Sequence, residues 1–597
     1  MYYKKILITS FLRLKKLFGY NKIIDNNDVN IIITSVITGI LCGGLAILFR
    51  ETLELIINFS FNSDYYNLSN SAKKLSFIQI IIVTSTGGLL VGLIGYFFMP
   101  VNRSQGMTEV IETALKKDYK ISLRTTIGSF FINVITLGTG GATGRAGPIV
   151  HLASGVSSLI FDKLKIQGRD RKILLGCAAA SAVSSTFSAP IAGVFFASEL
   201  ITGSYAASQF LPVVLASISG AFLSNIFYGS NTAFTIVDYQ ELSMYELPFF
   251  ILLGILIAFL INLFIYGINT VYNFAREKKI PVFLCPAIGG LCVGIIACFL
   301  PQIMGDGYFT TNQSLAGNLP FYLLIMLIIA KLLATILTIG FGGGGGVFSP
   351  SLFIGAMIGG AFGVIVVNIM FYFNISSDVS YVMYSVAGMG SFAGGLLGAP
   401  ISTVFMIFEL TNNYILTLAV MISTFTTIRT MQNINVPTFF NWQLKNRGIN
   451  LGGSIENIAM RNILVKDIMR YDFTSVNKDE SLSIVRDKLR QKKLGDIFVT
   501  DDENLLLGDI CVYSMADKAF NTDDDINSRA IDVADLNTIR VNLIDNLEQI
   551  LPIYRENSKS VVAVVDDKGK LVGILNQNDV LIAYKNIIID TRRSERL

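Results

Sequence analysis

Ala189-Pro-Ile-Ala-Gly-Val-Phe-Phe-Ala-Ser-Glu199-Leu200 recurs as Ala399-Pro-Ile-Ser-Thr-Val-Phe-Met-Ile-Phe-Glu409-Leu410, with the two Ala-Pro steps 210 residues apart. Upstream of each copy stands a glycine ladder. Gly138, Gly140, Gly141 and Gly144 lead to Pro148, and Gly340, Gly342, Gly343 and Gly346 lead to Pro350, an offset of 202 residues. Two related halves broken by Gly and Pro at corresponding positions mark a membrane transport protein, whose site lies near the bilayer midplane where the broken helices meet.

Composition agrees. The 597 residues are 52% hydrophobic and 15% charged, with a mean hydropathy of +0.57, which excludes an ordinary soluble domain. A net charge of +4 is too small to suggest a nucleic-acid partner. Of the 43 acids, 25 follow residue 448, so a membrane body gives way there to a water-soluble module.

Apolar runs long enough to span the bilayer fall at about 31–60, 76–99, 122–140, 210–227, 246–275, 285–300, 320–340 and 352–372. Shorter Gly- and Pro-punctuated segments lie between them, at 147–162, 172–186, 190–203, 380–396, 400–411 and 414–430. Helices that end inside a membrane need protein or water to satisfy their free backbone groups. Residues 1–23 carry Lys4, Lys5, Arg13, Lys15, Lys16 and Lys22 without an acid. The positive-inside rule puts that end in the cytoplasm, either as a solvated tail or as an amphipathic surface helix.

The ladders run straight into helix starts. Gly144-Arg-Ala-Gly-Pro148 precedes an apolar run at 149–161, and Gly346-Val-Phe-Ser-Pro350 precedes one at 351–363. Proline suits a first helical turn, where its missing N–H is not needed. Such an end offers unpaired N–H donors and about half a positive charge. Two of them aimed at one point make an anion site that releases its ion readily.

These segments resemble the CLC family of chloride channels and proton-coupled chloride exchangers, whose signatures are GSGIP, GREGP and GxFxP. The third is intact at 346–350, the second stands as Gly144-Arg-Ala-Gly-Pro148-Ile-Val150, and the first is weaker, as Ser104-Gln105-Gly106-Met107-Thr108. The resemblance covers about residues 30–448. It implies a homodimer in the bilayer with one anion pathway per subunit, the anion-binding residues being Gln105, Gly106, Met107, Ala146, Gly147, Val347, Phe348 and Phe440.

Departures from the family pattern carry the functional expectation. The gate glutamate of GREGP is replaced by Ala146, and the inner proton-relay glutamate by Leu200, next to Glu199. A side chain that cannot titrate cannot carry a proton across lipid. Phe440 stands where the family has a tyrosine whose hydroxyl donates to the central anion, whereas Gln105, in the serine position, keeps two amide N–H donors. The expected function is passive, voltage-driven chloride conduction uncoupled from protons. A proton-coupled antiporter with an atypical relay and a fluoride-selective exchanger are the alternatives.

Other polar residues have structural readings. Glu199 and Glu409 occupy equivalent places and are expected to accept hydrogen bonds from helix ends; Arg145 is expected to brace its ladder. The only histidine, His151, cannot build a metal site alone and is expected to be a packed polar residue. The six cysteines lack CxxC spacing and are expected to be buried free thiols. No P-loop, zinc spacing or Ser-His-Asp set points to an enzyme, and no metal or required cofactor is expected.

After about 464, strands alternate with helices twice over. The pattern resembles the tandem CBS domains that CLC proteins often carry in the cytoplasm, which commonly bind ATP, ADP or AMP. The candidate nucleotide contacts are Asn576 and Asp579; the first unit has Ser514 where an Asp is expected, and a dimerisation module without ligand is the alternative. Asp523–Asp525 reads as a solvated loop.

The expected fold is therefore mainly α: a multi-pass membrane protein of the CLC inverted-repeat type, with a small α/β CBS pair. Its expected division is a basic N-terminal segment 1–29, a transmembrane domain 30–448 (halves about 30–230 and 245–448) and a linker 449–463. Tandem CBS domains at 464–588 (about 464–520 and 530–588) and a tail 589–597 complete it, with both termini cytoplasmic.

Overall fold

A computed structural model describes residues 26–63, 68–100, 103–115, 120–166, 168–229, 234, 244–373, 381–449, 460, 463–491, 496–511, 528–557 and 559–596. The basic 1–23 segment, Ser514 and Asp523–Asp525 lie outside them. The chain divides into two compact units, Met1–Asn450 and Leu451–Leu597.

Among its described residues the regular elements of the first unit are all helices, joined by short non-helical segments such as the glycine ladders. Among the described residues seven helices are long and apolar enough to cross a membrane: Asn30–Phe61, Phe77–Phe98, Ala207–Tyr228, Leu247–Glu277, Phe321–Gly340, Phe348–Tyr372 and Tyr414–Asn433. Three readings are corrected. The runs 122–140 and 285–300 form helices of only 16 and 15 residues, Leu123–Gly138 and Cys285–Phe299, the first ended by its glycine ladder and the second just before Pro301, so neither is among the seven. The third is the last helix of the seven. The segment 414–430 reads as short because its apolar run is interrupted by threonines, yet the helix has 20 residues. Its threonines Thr417, Thr426, Thr427 and Thr430 each hydroxyl-bond the carbonyl four residues back, so their polarity is absorbed within the helix. Outward faces of the long helices are apolar, with Phe59 94% and Phe371 77% exposed, as a lipid-facing surface requires. Inside, every residue of the short helix Tyr381–Leu397 from Val382 onward is buried.

Two reciprocal sets of contacts tie the repeats together. Glu199 accepts from the backbone N–H groups of Ile401 (3.0 Å) and Ser402 (2.8 Å), while Glu409 accepts from Ile191 and Ala192, both at 2.8 Å. Each carboxylate thus caps the start of the other repeat's Ala-Pro helix, where a negative charge meets the positive helix end. The expectation that both accept hydrogen bonds from helix ends holds. Between them Phe195 and Phe405, again 210 apart, stack at 4.4 Å with their rings 6° from parallel. The copies differ in one respect: after Pro190–Ala197 the first winds into a π turn, Ser198–Thr202, that holds Glu199 and Leu200. It reaches its left-handed cap at Gly203, one residue later relative to its proline than Asn412 does after Pro400.

The second unit holds two copies of one α/β motif. In the first, β1 (Ser475–Asn477) lies parallel to β2 (Asp496–Thr500), which pairs antiparallel with β3 (Leu506–Cys511). In the second, β4 (Arg540–Asn542), β5 (Val561–Val565) and β6 (Leu571–Asn576) repeat that order. Helices Leu482–Gln491 and Leu547–Glu556 connect the parallel strands, and the strand burial of β5 is complete along its length. The copies meet where Leu505 bridges Lys570, its counterpart.

None of the six cysteines is in a disulfide. Cys42, Cys177 and Cys285 are buried as expected; Cys292, Cys298 and Cys511 are only half-buried, because Cys292 and Cys298 sit on the outer side of their helix and Cys511 ends a strand.

Candidate functional site

The ladders bend sharply before each helix. Gly140 (φ +92°) and Gly342 (φ +88°) hold the same left-handed conformation, which a side chain would strain. Thr136 Oγ1 accepts from the Gly344 N–H at 3.0 Å, and its counterpart Thr338 Oγ1 accepts from Ala142 at 3.4 Å. The ladders then join directly: Gly144 and Gly346 exchange two backbone hydrogen bonds of 2.7 Å. A Cβ on Gly144 would stand 2.9 Å from the Ser349 nitrogen, so only glycine permits this approach.

From that junction two helices depart, Ala146–Lys163 and Phe348–Tyr372. Neither start is capped by the side chain before it, Arg145 or Val347. Pro148 and Pro350 both fall at the third helical position and lack an N–H. The first-turn donors are left for a ligand.

Beside these starts is a cavity of about 130 Å³, room for an anion with part of its water shell. It is lined by Gln105, Gly106, Met107, Gly147, Val347, Phe348 and Phe440, brought together from four separate stretches of chain. Ala146 is not among the lining residues: it is 2% exposed, one position before Gly147, where its methyl group packs into the protein. Leu200 is half-buried in the π turn and likewise outside the cavity wall. Phe440, 7% exposed, is the second residue of the helix Phe439–Asn446 and presents to the cavity a ring without a hydroxyl. A Cβ on Gly106 would meet nothing within 4 Å, so this backbone faces open space.

Residues that sequence reasoning missed supply most of the cavity's polar wall. Arg103, Asn133, Gln443 and Arg447 line it too. Asn133 Oδ1 accepts from the Gly345 N–H (2.6 Å) and from Ser104 (2.9 Å), fixing the second ladder against the first signature segment. Gln443 pairs with Thr108. Arg447 reaches Gln105 Oε1 at 2.7 Å and Glu112 at 2.9 Å. None of these has a sequence signal of its own. The threonine pair did have one, since 136 and 338 keep the 202-residue offset of the ladders.

His151 is 1% exposed and lies 2.6 Å from Glu109, a packed polar pair as expected. Among the described residues no group of His, Cys, Asp and Glu is arranged to hold a metal. Arg145 is buried, with its guanidinium 5.1 Å over the Tyr308 ring.

A profile described as voltage gated chloride channel matches residues 87–432, more than half of the chain. The chain belongs to the voltage gated chloride channel family. CBS-domain profiles match 465–514 and 532–586, so this is a CLC protein with a C-terminal CBS pair, a family whose work is chloride transport. It is 26% identical over 411 residues to the H(+)/Cl(-) exchange transporter ClcA of Vibrio cholerae, covering 67% of this chain and 86% of that protein. It is 26% identical over 532 residues to chloride channel protein CLC-f of Arabidopsis thaliana, covering 84% of this chain and 62% of that one. The fold matches that of a slow cyanobacterial Cl-/H+ antiporter with a TM-score of 0.61 at 18% identity, over 70% of this chain and 97% of the other.

In the second unit, Asp579 is held by Arg470 through two bonds, at 2.6 and 2.7 Å, and Asn576 accepts from the Asn578 N–H at 3.0 Å. The ion pair with Asp579 holds the Arg470 guanidinium above its usual value. Both candidate nucleotide contacts are therefore already engaged within the chain, and a ribose at Asp579 would share the carboxylate with Arg470.

Proposed function

We propose that this CLC protein conducts chloride passively, driven by voltage and concentration and uncoupled from protons. The observation that supports it is the meeting of two uncapped helix starts, at Gly147 and Phe348, on one cavity; the family's gate and relay positions, outside the wall of that cavity, hold Ala146 and Leu200. Oriented backbone dipoles attract a halide without the tight grip of a bound cation. Neither an alanine nor a leucine can compete with chloride for those donors or carry a proton past them. Gln105, Gly106 and Met107 complete the anion site in this reading, and Phe440 narrows its mouth.

The test is reversal potential in reconstituted bilayers under crossed chloride and proton gradients. The potential is expected to follow chloride and to ignore pH. Uphill chloride uptake driven by a pH gradient alone would sink the proposal. One observation favours the coupled alternative, the titratable pair His151 and Glu109 adjoining the cavity residues Met107 and Thr108.

The same reading includes a homodimer, cytoplasmic termini on the strength of the basic 1–23 segment, and an adenine nucleotide on the CBS pair. For the last, Arg470→Ala frees Asp579 and is expected to tighten ATP binding by the full chain several-fold in calorimetry. Unchanged binding would remove Asp579 from the nucleotide site.

A further inference from the structure

We infer that Arg447 is the positioning residue of the anion site: it turns the Gln105 amide so that its two N–H donors face the cavity. The inference rests on the cavity being the anion site.

The chemistry of the pair fixes the orientation. A guanidinium has five donors and no acceptor, so the Gln105 atom 2.7 Å from Arg447 Nη2 is the carbonyl oxygen. With that oxygen held, the amide nitrogen points away from Arg447. Gln105 itself is only 5% exposed and lines the cavity, so the cavity is the space its nitrogen can serve. Without Arg447 the terminal torsion of glutamine has two broad, nearly equivalent settings. One of them would turn a carbonyl dipole toward a bound anion, which repels it.

Neighbouring contacts lock both partners. The Gln105 backbone N–H donates to Ser129 Oγ at 2.8 Å, anchoring the residue from behind. Glu112 holds the other arm of the guanidinium, at 2.9 Å. Arg447 is the C-cap of the helix Phe439–Asn446 and Gln105 comes from a loop 342 residues earlier, so the contact also pins the signature segment to the end of that helix. The arrangement explains how the site can dispense with a hydroxyl at Phe440: an oriented side-chain amide takes over as the non-backbone donor.

A double-mutant cycle on chloride binding tests this, with calorimetry on the purified full-length protein in a gluconate background. Gln105→Leu and Arg447→Leu are each expected to weaken chloride binding about tenfold, or about 1.4 kcal/mol. The double variant is expected to be no weaker than either single, because Arg447 acts through Gln105. Arg447→Lys, which can still donate to the carbonyl, is expected to stay within about threefold of the wild type. That rescue, with unchanged elution on size exclusion, separates positioning from a folding defect. Effects that multiply to about a hundredfold in the double variant would mean that Arg447 acts by its own charge, and would overturn the inference while leaving the site intact. A wild type that binds no chloride would overturn the site itself.

Discussion

Replacing Glu199 or Glu409 by glutamine tests the reciprocal capping most directly. Each carboxylate accepts two backbone N–H bonds from the opposite repeat, at 2.8 to 3.0 Å. Hydrogen bonds to a charged acceptor contribute about 1.5–3 kcal/mol each, and neutral ones about 1 kcal/mol. Glutamine keeps one neutral bond, turns its NH2 toward the second donor and leaves that helix N–H unsatisfied. The expected loss is about 2–4 kcal/mol at either site. A chain of this length melts lower by roughly 1–2 °C per kcal/mol, so both variants should lose about 2–8 °C in detergent. Glu277→Gln, at the exposed end of its helix, serves as the unchanged control. The two-fold relation demands similar losses at both sites, with chloride selectivity unaltered in the surviving protein. Unchanged melting, or a loss at only one of the two, would refute the bracing role; altered selectivity with normal melting would put the carboxylates in the pathway.

Two further changes probe the gate position and the second unit. Ala146→Glu sets a carboxylate at the start of a helix that borders the cavity. Its ordinary pKa near 4.3 leaves it ionised at pH 7, where it competes with chloride, and conductance should rise about tenfold as pH falls from 7.5 to 4; a conductance indifferent to pH would take residue 146 out of the pathway. In the second unit, Lys559 bonds Asp509 at 2.7 and 2.9 Å, and Asp509 is 3% exposed. Burial lowers the Lys559 pKa, but its bonds to Asp509 and Asp535 outweigh that and hold it above the usual lysine value. Its contribution is therefore full below the unfolded lysine value and is lost only as pH rises through the folded one. Lys559→Met leaves the buried carboxylate without this ammonium and should cost about 2–4 kcal/mol, read as faster hydrogen exchange across β2, β3, β5 and β6 at pH 7; exchange unchanged from wild type would deny the ion pair a role.

Much of this protein could be read before folding. The twelve-residue repeat and its ladders announced the two-fold relation, because equivalent backbone bends need the same Gly and Pro at the same spacing. Six of the eight long apolar runs became spanning helices, since the length needed to cross lipid is set by the bilayer; 122–140 and 285–300 stop short, as Leu123–Gly138 and Cys285–Phe299, and 414–430 reads as short because threonine polarity is hidden by bonds within the helix. Seven of the named anion-site residues do face one cavity, and Glu199 with Glu409 do cap helix ends.

The tertiary structure alone decided what those segments touch. That Gly144 bonds Gly346, that each glutamate crosses to the other repeat, and that Arg447 bonds Gln105 are contacts between residues 202 to 342 positions apart. Local sequence records the conformation a segment prefers, through φ restrictions, periodicity and capping. It carries no mark of which distant side chain will fill a hydrogen-bonding direction, because that choice is made only when the two halves pack.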